Sequence, residues 1–213
     1  MSRSTSLERA ALRCGLLAPL LFVVALVAAG AASPGYEHAL HPVALLGSEV
    51  GGLPLLWNLG GFVLPGLGIA VFAWGLGCRL GRDGGGSLGR IGLWMLAISG
   101  VAFAACGLLP YPLDDAEGDG ARLHVLAYTL AMIAFAPGAL FVSASLRRRP
   151  HWRPLAVVGP ALVALFLVSI AWAPAELLGL FLDRPGHAQR LTLALYFGWV
   201  ALAAVVAVVM KRG

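Results

Sequence analysis

RIGLWMLAISGVAFAACGLLPYPLDDAEGD, residues 90–119, opens on one arginine, runs uncharged to Leu109 and then carries four acids. At ~1.5 Å per helical residue, a run of ~20 residues matches the ~30 Å core of a bilayer. Pro110 and Pro112 stop the helix, and Tyr111 falls where interfacial aromatics belong. An apolar rod with one basic and one acidic end has both a class and a direction. It is a transmembrane helix, and cytoplasmic loops carry the basic excess.

The alternation continues outward from this stretch. Apolar segments of spanning length run over 12–31, 54–78, 88–109, 122–145, 154–174 and 190–210. Twelve of the fifteen Lys/Arg lie at the N-terminus, at 79–90, at 147–153 and at 211–212, whereas eight of the ten Asp/Glu lie in the three intervening connections. The expected fold is therefore all-α: a single domain, 1–213, forming a polytopic bundle of six transmembrane helices with short loops and both termini cytoplasmic. Composition agrees. Hydrophobic residues make up 60% of the chain and charged residues 12%, about half the ~25% charge of an ordinary soluble domain, and the mean hydropathy is +0.87. The net charge of +5 does not indicate nucleic acid, because the basic residues stand singly at helix ends and only Arg147-Arg148-Arg149, with Arg153, cluster. The end of the first span, Ala28-Ala29-Gly30-Ala31-Ala32-Ser33, also reads as a small-residue cleavage site, which makes a signal peptide the alternative to a first helix.

Several features exclude whole classes. The Gly84-Gly85-Gly86 turn lacks the Lys and Ser/Thr of a phosphate-binding loop. Cys14, Cys78 and Cys106 form no C-x-x-C and no framework. The six tryptophans read as belt and packing residues. In the second span, Gly60-Gly61, Gly66, Gly68 and Gly75 offer a flat face for close helix contact. Pro19, Pro65, Pro137 and Pro160 each remove a backbone donor and kink or open a helix.

The polar residues with chemical potential gather in the acidic connections. Tyr36-Glu37-His38-Ala39-Leu40-His41-Pro42 follows a Pro34-Gly35 turn, and Tyr36 to Leu46 is apolar enough for a short surface helix placing His38 and His41 on one face. His124 lies just inside the fourth span, where an ionisable group faces the bundle interior and needs a polar partner. Asp114, Asp115, His38 and His41 are the candidates by depth. Paired with a carboxylate, His124 would be a general base, so Asp114 and His124 are the catalytic candidates. His38, His41, Asp115 and His124 are the candidate metal ligands, a set that would suit zinc, although no cofactor is clearly indicated. Tyr36, His38, Asn58 and Arg190 are the candidate ligand-binding residues. Arg190 either pairs with Asp183 or Glu176 at the rim or holds a phosphate or carboxylate in a bidentate contact.

Taken in order, Tyr36, His38, Leu46-Gly47, Asn58, Tyr111-Pro112-Leu113-Asp114, His124 and Gln189-Arg190 resemble the bacterial and archaeal membrane family known as domain of unknown function 998. The resemblance covers nearly the whole chain. It departs at Val43-Ala44-Leu45, where the family tends to have Ile-Ser and an acid, and at Tyr111, where Phe is usual. It implies a six-helix integral membrane protein of the bacterial inner membrane and brings no established reaction. Three functions follow as expectations. The first is binding of a membrane lipid or a partner, including a second copy, through the outer polar face. The second is an outer-leaflet metal-assisted or acid/base enzyme acting on a lipid-like substrate. The third is a small transporter.

Overall fold

The computed structural model describes residues 3–82, 86–115, 117–172 and 184–209. Among the described residues are six helices long and apolar enough to cross a membrane, and no β-strand. They are α1 (Arg3–Ala32), α2 (Pro54–Gly81), α3 (Gly86–Leu108), α4 (Asp119–Ser145), α5 (Arg153–Trp172) and α6 (Pro185–Val209). The chain is thus a multi-pass membrane protein. Helix α1 starts well before the apolar span, because Ala, Leu, Arg and Glu in residues 7–13 are good helix formers with no breaker among them. Helix α6 starts at Pro185, whose fixed φ and missing N–H suit a first helical position. Gly84-Gly85, Lys211-Arg212, and Glu176 and Asp183 lie outside the described residues.

Each helix packs on its neighbours in sequence, and α6 closes back on α1, so the six form a ring. Lipid is as apolar as leucine, so packing rather than water exclusion must hold such a ring together. Its centre is an aromatic plug. Phe103 of α3 stacks on Tyr196 of α6 at 5.6 Å, Phe135 of α4 meets Tyr196 at 4.5 Å, and Phe22 of α1 meets Phe197 at 4.6 Å. Ser99 spends its only proton on the Ala131 carbonyl at 2.8 Å, so the Tyr196 hydroxyl, 3.0 Å away, is the donor to Ser99. Phe22 makes α1, the span that also reads as a signal, a full part of this core.

Small residues allow the close approaches. The glycines of α2 do not form one face, as expected, but two. Gly60, Gly68 and Gly75 lie against Ala25, Ala18 and Ala11 of α1, while Gly66 meets the backbone of Gly100 and Ala104 in α3. The alanines are spaced seven and seven, but the opposing glycines seven and eight. The additional residue is taken up by a π-helical turn, Asn58–Val63, between the α-helical Pro54–Trp57 and Leu64–Arg82. Pro65 ends the π stretch. It has no N–H for the Gly61 carbonyl four residues back and would crowd it in an α-helix, so the wider turn relieves the clash. Pro19, Pro137 and Pro160 lie inside α1, α4 and α5.

Candidate functional site

The candidate residues lie at the end of the ring that carries the acidic loop, where the α1–α2 connection crosses as a strap. The Pro34-Gly35 turn forms as expected, with Gly35 at φ 74°. The expected helix over 36–46 does not. A turn closes at His41 and only Val43–Gly47 is helical, as a 3₁₀ turn. Pro42 is the cause: it is extended (φ −66°, ψ 152°) and disfavours helical geometry at the residue before it. His41 instead folds back on its own segment, its Nδ1 accepting the Glu37 N–H at 2.9 Å.

The first turns of α6 pin this strap. The His187 N–H donates to the Ala39 carbonyl at 3.2 Å. Gln189 Oε1 accepts the Val43 N–H at 2.9 Å. Arg190 donates through Nη1 to the His41 carbonyl at 3.0 Å and the Gly186 carbonyl at 2.7 Å, and through Nη2 to the Tyr36 hydroxyl. The Tyr36 ring lies beneath the guanidinium, 5.7 Å from ring centre to Cζ. Gly186 is required for this docking, because a Cβ there would stand 2.6 Å from the His38 carbonyl oxygen and 2.8 Å from that of Ala39. Among the described residues Arg190 makes no ion pair, and its buried Nε has no partner. Burial pushes the Tyr36 phenol up, against the opposing pull of the Arg190 cation and its hydrogen bond, so it stays protonated. His38 packs one edge on Gly30 and leaves the other exposed. Desolvation first, then the nearby Arg190 cation, holds it below the usual imidazole range.

A recess of about 250 Å³ opens beside the strap. Strap residues Pro42 to Leu45 form one wall, Phe62 of α2 another, and His124, Val125 and Tyr128 of α4 a third, with Tyr111, Leu113 and Gln189 at the rim. The π-helical turn carries Phe62 to this wall, edge-on to His124 at 5.9 Å. His124 is buried. Its partner is neither an aspartate nor a second histidine but the carbonyl of Leu109, 2.7 Å from Nδ1. The carbonyl oxygen left without a helical partner at the end of α3 therefore holds the proton on Nδ1. Gln189, already bonded to Val43, lines the recess together with Tyr128.

The structure thus separates the expected site residues. Tyr36, His38, His41 and Arg190 share the strap anchor, and His124 lines the recess. Asp114 and Asp115 are exposed on their loop, and no hydrogen bond links either to His124. Among the described residues no three His, Cys, Asp or Glu side chains gather closely enough to hold one metal ion. Within the proposed ligand set His38, His41, Asp115 and His124, His41 and His124 each engage the backbone through Nδ1, and Asp115 is exposed on its loop. Asn58 pins the strap, donating to the Gly47 carbonyl at 3.0 Å. Arg122 pairs with Asp119 at 3.6 Å on the surface, which contributes little. Tyr128 and Phe62 were missed as site residues. Tyr128 stands one helical turn beyond His124, a spacing that signals a shared face. Phe62 had no signal, because its position depends on the π turn.

No curated protein and no solved structure matches this chain. A family model described as protein of unknown function DUF998 matches residues 16–206, a range that contains every strap and recess residue named above. The chain belongs to the DUF998 family of proteins of unknown function.

Proposed function

We propose that this protein binds a membrane amphiphile at its acidic end, with a chain or ring of the ligand seated in the recess between α2, α4 and the strap. The observation carrying this reading is the recess itself: apolar walls, a few convergent polar groups and a partly exposed Val125 on its edge. Its volume of about 250 Å³ is slightly below the ~300–1,000 Å³ of sites that enclose a whole small molecule. That suits one part of a larger ligand whose remainder stays outside. The distribution of basic residues supports an orientation with this end outside the cytoplasm, on the periplasmic side if the membrane is a bacterial inner membrane. The His124 environment favours binding over chemistry. The ring is fixed by a backbone carbonyl, and among the described residues no carboxylate hydrogen-bonds to it.

Val125→Trp tests the reading, since this exposed position lets a bulky side chain fill the recess without entering the core. Native mass spectrometry of the purified full chain should show bound lipid on the parent and at least about fivefold lower occupancy on the variant. Equal occupancy at equal thermal stability would refute the proposal.

A further inference from the structure

We propose that Arg190 is the headgroup subsite of this recess, receiving the phosphate or carboxylate of an anionic amphiphile in place of the Tyr36 hydroxyl. The inference rests on the amphiphile reading above and names the ligand's charged class.

A guanidinium offers five N–H donors in a planar fork. Here Nη1 serves two backbone carbonyls, Nη2 serves Tyr36, and Nε–H is buried with nothing to receive it. Nε–H and one Nη2–H project along the same edge, the geometry that takes two oxygens of a carboxylate or phosphate at once. Tyr36 supplies a single oxygen to that edge, so one donor stays unsatisfied. A buried donor left unmet is costly, and so is a half-buried cation balanced only by neutral oxygens. Tyr36 does not supply the missing charge, since burial keeps its phenol protonated. Its hydroxyl is held on the other side only by a long contact, 3.4 Å to the Pro42 carbonyl, at the weak end of hydrogen bonding. The arrangement is an anion site with a neutral, displaceable occupant.

The surroundings agree. Arg190 lies close enough to His38 for its charge to be felt there, a positive centre on an otherwise acidic end. Such a centre attracts anions. Pro42 links the two parts of the site, because its side lines the recess while its carbonyl faces Tyr36. Gln189, adjacent to Arg190 in sequence, is also at the recess rim. One molecule with a chain in the recess can therefore present its head to the guanidinium.

The test is binding to the full-length protein in detergent, with dioleoyl phosphatidic acid, dioleoyl phosphatidylcholine and inorganic phosphate as probes. Phosphatidic acid should bind at least about tenfold more tightly than phosphatidylcholine. Arg190→Gln should abolish that preference. Arg190→Lys, which keeps the charge and loses the fork, should retain a small part of it and serves if the glutamine variant does not fold. Tyr36→Phe removes the competing hydroxyl and should leave the preference intact or larger. Competition by millimolar inorganic phosphate with no lipid preference would overturn the headgroup assignment in favour of a soluble anion. Equal affinity for the two lipids, or a preference that survives both Arg190 variants, would overturn the subsite altogether. Loss of all lipid binding in Val125→Trp together with an unchanged Arg190→Gln would sink this inference alone. An unaffected Val125→Trp would remove the recess reading beneath it.

Discussion

His38 shows how strap docking becomes sensitive to protons. Its imidazole lies against Gly30, near the Arg190 cation, and the docked position favours the neutral ring. A base whose proton affinity is lowered by docking adds stability that is complete above its free value of ~6.5. That stability is lost as pH falls through the lowered value, because the free strap then binds a proton that the docked strap refuses. Hydrogen exchange over 36–46, corrected for intrinsic rates, should therefore show protection declining from pH 7.5 to 5. His38→Gln should flatten that decline, and an unchanged slope would assign the effect elsewhere, His187 being the next group. The family motifs gain physical meaning at this scale. Gln189 and Arg190 tie down the strap, Asn58 caps the Gly47 carbonyl and His124 caps Leu109.

Helix α2 uses its small residues on two fronts, and the two should differ in their tolerance of substitution. A Cβ at Gly68 would stand 3.3 Å from the Ala18 methyl, whereas one at Gly66 would meet the Gly100 carbonyl oxygen at 2.5 Å and the Ala104 backbone. Side chains yield more readily than backbone. Gly66→Ala should cost on the order of 1–3 kcal/mol, the range of overpacking a tight interior, and Gly68→Ala well below that. Thermal unfolding in one detergent compares them, and equal losses would contradict the two-faced packing. The π turn belongs to the same account. It inserts one residue so that Gly60, rather than Gly61, faces Ala25, and it carries Phe62 to the wall of the recess.

For the whole molecule, the six helices close into a ring around an aromatic plug. The charge split predicts an orientation that is directly measurable. In a cysteine-free background, Asp115→Cys should react with a membrane-impermeant maleimide in intact cells, and Arg148→Cys only after permeabilisation. Both positions are exposed. The reverse pattern would invert the topology and place the recess on the cytoplasmic side.

The six spans were legible because each is a local property, a length of apolar residues matched to a bilayer, although α1 and α6 start ahead of their apolar runs, at Arg3 and Pro185. The candidate residues were legible for a related reason, since an ionisable group beside a membrane span stands out against its neighbours. Their grouping was not. Pro42 prevented the helix that would have paired His38 with His41, a carbonyl of α3 took the place of a carboxylate at His124, and a π turn moved Phe62 into the site. Each outcome depends on which backbone groups are left unsatisfied once the helices pack, and that is decided between elements far apart in the chain. Sequence alone determined the membrane class, the helix count and the polar end. Only the tertiary structure decided that Arg190 anchors a strap with one donor unmet, and that His124 lines an apolar recess.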